Sequence, residues 1–174
     1  MKAAISLGLA LALVMAVGRA NAALTQTDVV VAGRAISFIE RFGAGEVRVG
    51  IVFATDSPRS GREAMELNAL FGKQLRVGNL VLTPVMLRTD QVVNADVGLF
   101  FLTSGVGAAA GNVGNVSKQR KIPCVTFDLE QVRNGACTVG FRSRPTIEVF
   151  VNHQSAVESN TVLSSVFRLM ITEY

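Results

Sequence analysis

From Val47 to Ala54 the chain reads V-R-V-G-I-V-F-A, apolar or glycine at every position except Arg48. A run this dense in Val, bounded by Gly45 and Pro58, predicts a strand buried on both faces of a sheet. The chemistry then switches at once to the small polar residues Thr55, Asp56 and Ser57. Ser57 is a helix cap and Pro58 suits a first helical turn, so strand, short loop and helix open a βαβ unit.

The same reading extends in both directions. Between Thr27 and Phe42, Val31, Ala35, Phe38 and Phe42 recur at helical spacing and Ile36 and Ile39 widen the stripe. This predicts an amphipathic helix ended by Gly43-Ala44-Gly45. A second helix is predicted from Pro58 to Gln74, with Ala64, Leu67, Leu70 and Phe71 inward. Leu80 to Leu87 reads as a strand, and Pro84 within it, unable to donate to a ladder, predicts an edge. Asp96 to Thr103, D-V-G-L-F-F-L-T, is a second run of the doubly buried kind, and it ends in Thr103-Ser104-Gly105. Val106 to Lys121 predicts a helix weakened by its glycines. Ile122 to Phe127 is a third core strand closed by Asp128, and Leu129 to Asn134 is at most one helical turn. Cys137–Ser143 and Thr146–Asn152 are strands joined by Arg144-Pro145, too short a link for a parallel crossover, so they form a hairpin. A last helix is predicted from Asn160 to Thr172 on the stripe Leu163, Val166, Phe167 and Met170.

Buried strands alternating with helices imply an α/β fold in three layers. Its sheet is mostly parallel, has helices on both faces and ends in a C-terminal antiparallel hairpin edge. No linker, repeat or low-complexity tract divides the chain, so one domain is expected over residues 23–174.

Residues 1–22 change the picture of compartment. Lys2, an apolar stretch from Ala3 to Val17 and the small-x-small site Ala20-Asn21-Ala22 read as a cleaved secretory signal, with the mature protein beginning at Ala23. The stretch is short for a membrane span, and no later one is long and apolar enough. The formal charge of +4 includes Lys2 and Arg19, and their removal leaves +2, a weak argument for nucleic acid. Export into the periplasm also permits a disulfide. The two cysteines, Cys124 and Cys137, each stand at the start of a predicted strand, and a bridge between them is expected.

Candidate chemistry is sparse. Gly105-Val106-Gly107-Ala108-Ala109-Ala110-Gly111 follows a buried strand, and Asp128 ends the next one, the outline of a dinucleotide site. The spacing is a variant, Gly114 weakens the helix that would hold the phosphate, and nicotinamide cofactors are scarce outside the cytoplasm. A tightly packed strand–helix turn is the expectation, with no cofactor. His153 is the single histidine, and neither a nucleophile elbow nor a metal-ligand spacing is present. An enzyme is therefore not expected, nor are catalytic or metal-binding residues. In open α/β sheets ligands bind outside the carboxyl ends of the strands. Here those ends offer Thr55, Asp56 and Ser57, then Thr103, Ser104 and Gly105, then Asp128. They are the candidate ligand-facing residues, and a purely structural role for the same loops stands beside that reading.

Several stretches resemble the YfiR-like family of exported bacterial proteins. They are A-G-R-A-I-S-F-I-E-R-F running into V-R-V-G-I-V-F, then D-V-G-L-F-F-L-T-S-G, and at the close V-G-F, I-E-V-F-V-N-H-Q-S-A and L-S-S-V-F-R-L-M. The chain has two cysteines where the family's best-studied member has a four-cysteine design, and Phe42-Gly43 where the family's usual ending of the first helix is Trp-Pro. The resemblance implies a non-enzymatic periplasmic regulator. It would bind the periplasmic region of an inner-membrane signalling protein such as a diguanylate cyclase and so restrain cyclic-di-GMP synthesis and biofilm. Phe42, Leu169, Ile171 and Tyr174 are the candidate partner contacts, and a homodimer is a further expectation. The alternative is a small-solute-binding module that uses the strand ends.

Overall fold

The computed structural model describes residues 23–174; the expected signal segment and its expected cleavage site lie outside the described residues. One eight-stranded sheet organises them, in the order β2-β3-β1-β4-β5-β6-β7-β8. The strands are β1 (Gly45–Phe53), β2 (Leu75–Val77), β3 (Leu80–Arg88), β4 (Leu99–Leu102), β5 (Cys124–Thr126), β6 (Val139–Arg142), β7 (Glu148–Val151) and β8 (Ile171–Glu173). From β3 through β6 the strands run parallel, and β6–β7 is the antiparallel hairpin. The longer helices are α1 (Gln26–Ile36), α2 (Pro58–Phe71) and α3 (Ala109–Arg120); α4 (Leu129–Arg133), α5 (His153–Glu158) and α6 (Ser165–Arg168) are short. This is the α/β architecture that the alternation of apolar runs predicts.

Both faces of the sheet are covered, which is why its central strands are apolar at successive positions. Val47, Val49 and Ile51 of β1, with Leu99 and Phe101 of β4, face α1 and α2 through Val29, Ile36, Leu67 and Phe71. Val52, Phe100 and Leu102 face the other way, against Ala110 and Val113 of α3 and Val92 of a 3-10 turn. Every residue of β4 is fully buried, each side chain contributing on the order of 1.5–3 kcal/mol. Cys124 and Cys137 form a disulfide with their Cα atoms 4.7 Å apart, tying β5 to the approach of its parallel neighbour β6. Closing that loop stabilises by about 3 kcal/mol on loop entropy. Cys137 precedes the strand instead of opening it, because β6 begins at Val139.

Three expectations need correction. The first helix stops at Ile36, short of Phe42. Ile39 instead forms a β-bridge with Leu163, Glu40 N–H donates to Val162 O, and Ser164 N–H donates to Phe38 O. Backbone pairing with a distant segment has overridden a helical pattern. The strand that holds Pro84 is interior, but β2 pairs only with Leu80–Leu82, so the outer side of Pro84 has no partner strand. The proline rule holds locally and fails for the strand as a whole. The expected closing helix is one turn, α6, followed by β8, which lies parallel to β7 with Val149 opposite Ile171. Tyr174 N–H donates to Val151 O, so the chain end satisfies an edge that the hairpin would otherwise leave open.

Candidate functional site

At the carboxyl ends of β1, β4, β5 and β6 the loops enclose an open cleft of about 990 Å³. One wall is the start of α2. Ser57 caps that helix by accepting Ser60 N–H at 3.3 Å, with Pro58 in the first turn. Ser60, Ala64, Leu67 and Phe71 take the buried face, which leaves Arg59, Arg62, Glu63 and Glu66 on the face lining the cleft. The second wall is the start of α1 with the β6–β7 turn: Asp28, Arg142, Ser143 and Arg144. Between them, Phe127 rests on Phe101 at 5.3 Å and on Phe141 at 6.0 Å between ring centres, and it forms an apolar floor with Phe141 and Leu129.

The two walls differ in electrostatics. The Asp28 side chain is only 3% exposed, and it accepts from Thr25 N–H at 2.6 Å, Thr25 Oγ at 2.8 Å, Arg144 Nη2 at 3.1 Å and Ser143 Oγ. Burial pushes its carboxyl up, but the hydrogen bonds from Ser143 and Thr25, helped by the Arg144 charge, outweigh burial and hold it below the usual aspartate range. Across the cleft Glu63 behaves oppositely. It accepts Ser104 N–H at 2.9 Å and Ser104 Oγ at 3.1 Å, bridging α2 to the loop after β4. Burial raises its carboxyl, and the charge of Asp128 adds to that; the Ser104 bonds and Arg59 only partly compensate.

The residues expected to face a ligand divide. Ser104 and Asp128 line the cleft. Asp128 also caps α4, its Oδ1 accepting Glu130 N–H at 3.0 Å. Thr55 and Asp56 are exposed in the loop beyond the lining, and Ser57 is occupied as a cap. Thr103 requires correction: it is fully buried, and its hydroxyl donates to Val52 O at 3.0 Å. With that one proton committed, the 2.6 Å contact to Ser60 is a bond donated by Ser60 Oγ, which itself accepts Ala54 N–H. Gly105 is likewise a packing residue, because a Cβ there would lie 2.7 Å from Ser60 N. The glycine motif thus brings the loop after β4 against the backbone of α2. His153 opens α5, and the Ser155 hydroxyl donates to Gly135 O at 3.0 Å.

No family model matches the chain, and no curated protein does. Among the solved structures that share its architecture are these three. One is a conserved domain protein from Vibrio cholerae O1 biovar El Tor, with TM-score 0.59 and 12% identity over 83% of this chain and 59% of that one. Another is a substrate binding protein with adhesive properties from Clostridium difficile, in a ligand-free, open structure. It has TM-score 0.56 and 13% identity over 82% of this chain and 59% of that one. The third is the ABC domain from Streptococcus pneumoniae in complex with L-Trp, with TM-score 0.57 and 11% identity over 85% of this chain and 60% of that one. The likeness is one of fold. This chain spans about three fifths of the length of each.

Of the four expected partner contacts, Leu169 is 87% exposed and Tyr174 42% exposed, stacked on Phe150 at 5.6 Å. Phe42 is corrected: at 5% exposure it belongs to the core beneath β1. Ile171 is a half-buried β8 residue packed on the same core. Sequence reading passed over Arg59, Arg62, Glu63 and Glu66, although R-x-x-R-E-x-x-E after a capped helix start placed them on one face. No such pattern marked the tie from Asp28 to the β6–β7 turn, because Ser143 and Arg144 lie more than a hundred residues away. Among the described residues no cluster could hold a metal ion, and no helix is long and apolar enough to cross a membrane.

Proposed function

We propose that this chain is an exported, non-catalytic binding module that takes a small solute in the cleft at the strand carboxyl ends. The cleft itself carries the reading. Its volume lies in the range of small-molecule sites, it stands where open α/β sheets bind ligands, and it sets charged groups around an aromatic floor. Two solved structures of the same architecture support it, one a substrate binding protein and one a complex with L-Trp. Periplasmic residence fits the signal-like residues 1–22 and the disulfide. The test is native mass spectrometry of protein purified from the exported fraction. A small solute should accompany the parent and be lost from an Arg62→Ala variant of unchanged fold. Solute-free parent protein, and no stabilisation by a metabolite library, would end the proposal.

A second reading has its own observation. Val166, Leu169 and Met170 stand exposed around α6, next to Phe38, which stacks on Phe167 at 4.5 Å. Such a surface supports the regulator that the YfiR-like resemblance implies, docking on the periplasmic region of a membrane signalling protein. Pull-down should recover that partner with the parent and lose it with Leu169→Asp. Unchanged cyclic-di-GMP on deletion of the gene would remove this reading and leave the solute reading standing.

A further inference from the structure

We infer that the cleft is built for a small zwitterion with an apolar body, an α-amino acid whose carboxylate meets Arg59 and Arg62 and whose ammonium lies between Glu63 and Asp128. The inference rests on the solute-binding reading above and deepens it. Of the charged residues lining the cleft, Asp28 and Arg144 neutralise each other and Arg142 pairs with Glu148. Five remain: Arg59, Arg62, Glu63, Glu66 and Asp128. None of them is in an ion pair among the described residues.

Those five exclude the simpler ligands. A plain organic anion would find the two arginines but would also meet three carboxylates, and a plain amine would face the converse. A ligand carrying both signs satisfies both sets. The order of charges gives it a direction. Along α2 the cations come first, with Arg59 and Arg62 in the opening turns, and Glu63 and Glu66 follow towards the middle of the helix. Asp128, from the loop after β5, lines the same cleft as Glu63, and its charge adds to the rise of the Glu63 carboxyl, so a cation bound beside both would relieve them. Beside them Phe127, Phe141 and Leu129 offer apolar surface for a hydrocarbon side chain. The bidentate geometry of a guanidinium suits a carboxylate.

Calorimetry on the exported chain with four probes separates the terms: L-phenylalanine, L-leucine, phenethylamine and 3-phenylpropionate. At least one amino acid should bind, and deleting the ammonium or the carboxylate from phenylalanine should weaken binding by about tenfold or more. Arg59→Ala/Arg62→Ala should reduce the amino acid to the level of phenethylamine and leave phenethylamine itself unchanged. Asp128→Asn should weaken phenethylamine and leave 3-phenylpropionate unchanged or tighter. If 3-phenylpropionate equals L-phenylalanine and both are lost with the arginines, the zwitterion is overturned while the cleft remains a solute site. No binding of any probe at up to about 10 mM overturns the inference alone, since the solute reading is decided separately by what accompanies the purified protein. Binding that ignores every cleft substitution overturns both.

Discussion

The two walls of the cleft carry the same kinds of side chain and use them in opposite ways. On the α1 side, Asp28 accepts from Thr25, Ser143 and Arg144, and Arg142 pairs with Glu148 across the hairpin, so each charge has an internal partner. On the α2 side, Arg59, Arg62 and Glu66 line the same space with no ion pair among the described residues, and Glu63 is hydrogen-bonded by Ser104 alone, with the Arg59 charge nearby but not in an ion pair with it. A charge with a built-in partner fastens two pieces of chain together. One without such a partner remains available to a ligand. The first wall therefore answers to stability and the second to binding, and substitutions should separate them.

The largest effect belongs to Asp28→Ala. It removes a buried acceptor shared by α1 and the β6–β7 turn, and stability should fall by about 2–3 kcal/mol in denaturant melts. The cost is limited because Arg144 is half exposed and water can reclaim it. The acid limb tests the cause. A carboxyl held below its ordinary value near 3.8 contributes fully above that value, and the contribution is lost as pH falls through the lower folded one. The parent should lose this stability on acidification, and the variant should lack that part of the loss. Equal acid limbs would show that Asp28 is not the fastener.

Gly105→Ala comes next, because the added Cβ would lie 2.7 Å from the backbone N of Ser60 and must displace the loop after β4 from α2. A cost of about 1–2 kcal/mol in thermal melts is expected, with weakened binding because Ser104 moves with the loop. Here the sequence was legible in part. The doubly buried runs announced β1 and β4, and the small polar residues after each announced the loops at which the cleft opens. What stayed hidden was which small residue packs and which faces solvent. Thr103 and Ser104 are neighbours of similar chemistry, but Thr103 is turned inward to Val52 O and Ser104 outward to Glu63. That choice depends on the register of β4 against β1, which no local pattern records. The C-terminal region failed for a related reason: Leu163 and Phe167 keep the helical spacing, but Leu163 pairs with Ile39, and the β-branched Ile171 and Thr172 pair with β7.

Arg59→Ala/Arg62→Ala should move stability by less than roughly 0.5 kcal/mol, since both side chains are exposed and hold nothing in place. A melt matching the parent, beside a changed ligand profile, is the signature of a binding wall. A destabilisation approaching that of Asp28→Ala would erase the distinction between the walls.

The smallest effect, with the sign least expected of a half-buried carboxylate, belongs to Glu63→Gln. Burial and the nearby Asp128 raise the Glu63 carboxyl, so the folded protein keeps a proton that the unfolded chain releases near 4.5. Stability therefore declines as pH rises from that value through the higher folded one, and it stays lower at neutral pH. A glutamine has the same shape, and its amide oxygen can still accept Ser104 N–H, while its charge is gone. Glu63→Gln should therefore be as stable as the parent below pH 4 and slightly more stable at pH 7, by roughly 0.5 kcal/mol or less. The same change should weaken an ammonium-bearing ligand, because one of the two acids facing it is lost. Stability and affinity moving in opposite directions at a single atom pair is the behaviour of a group kept for a ligand; a neutral-pH loss of stability would instead place Glu63 with Asp28 among the fasteners.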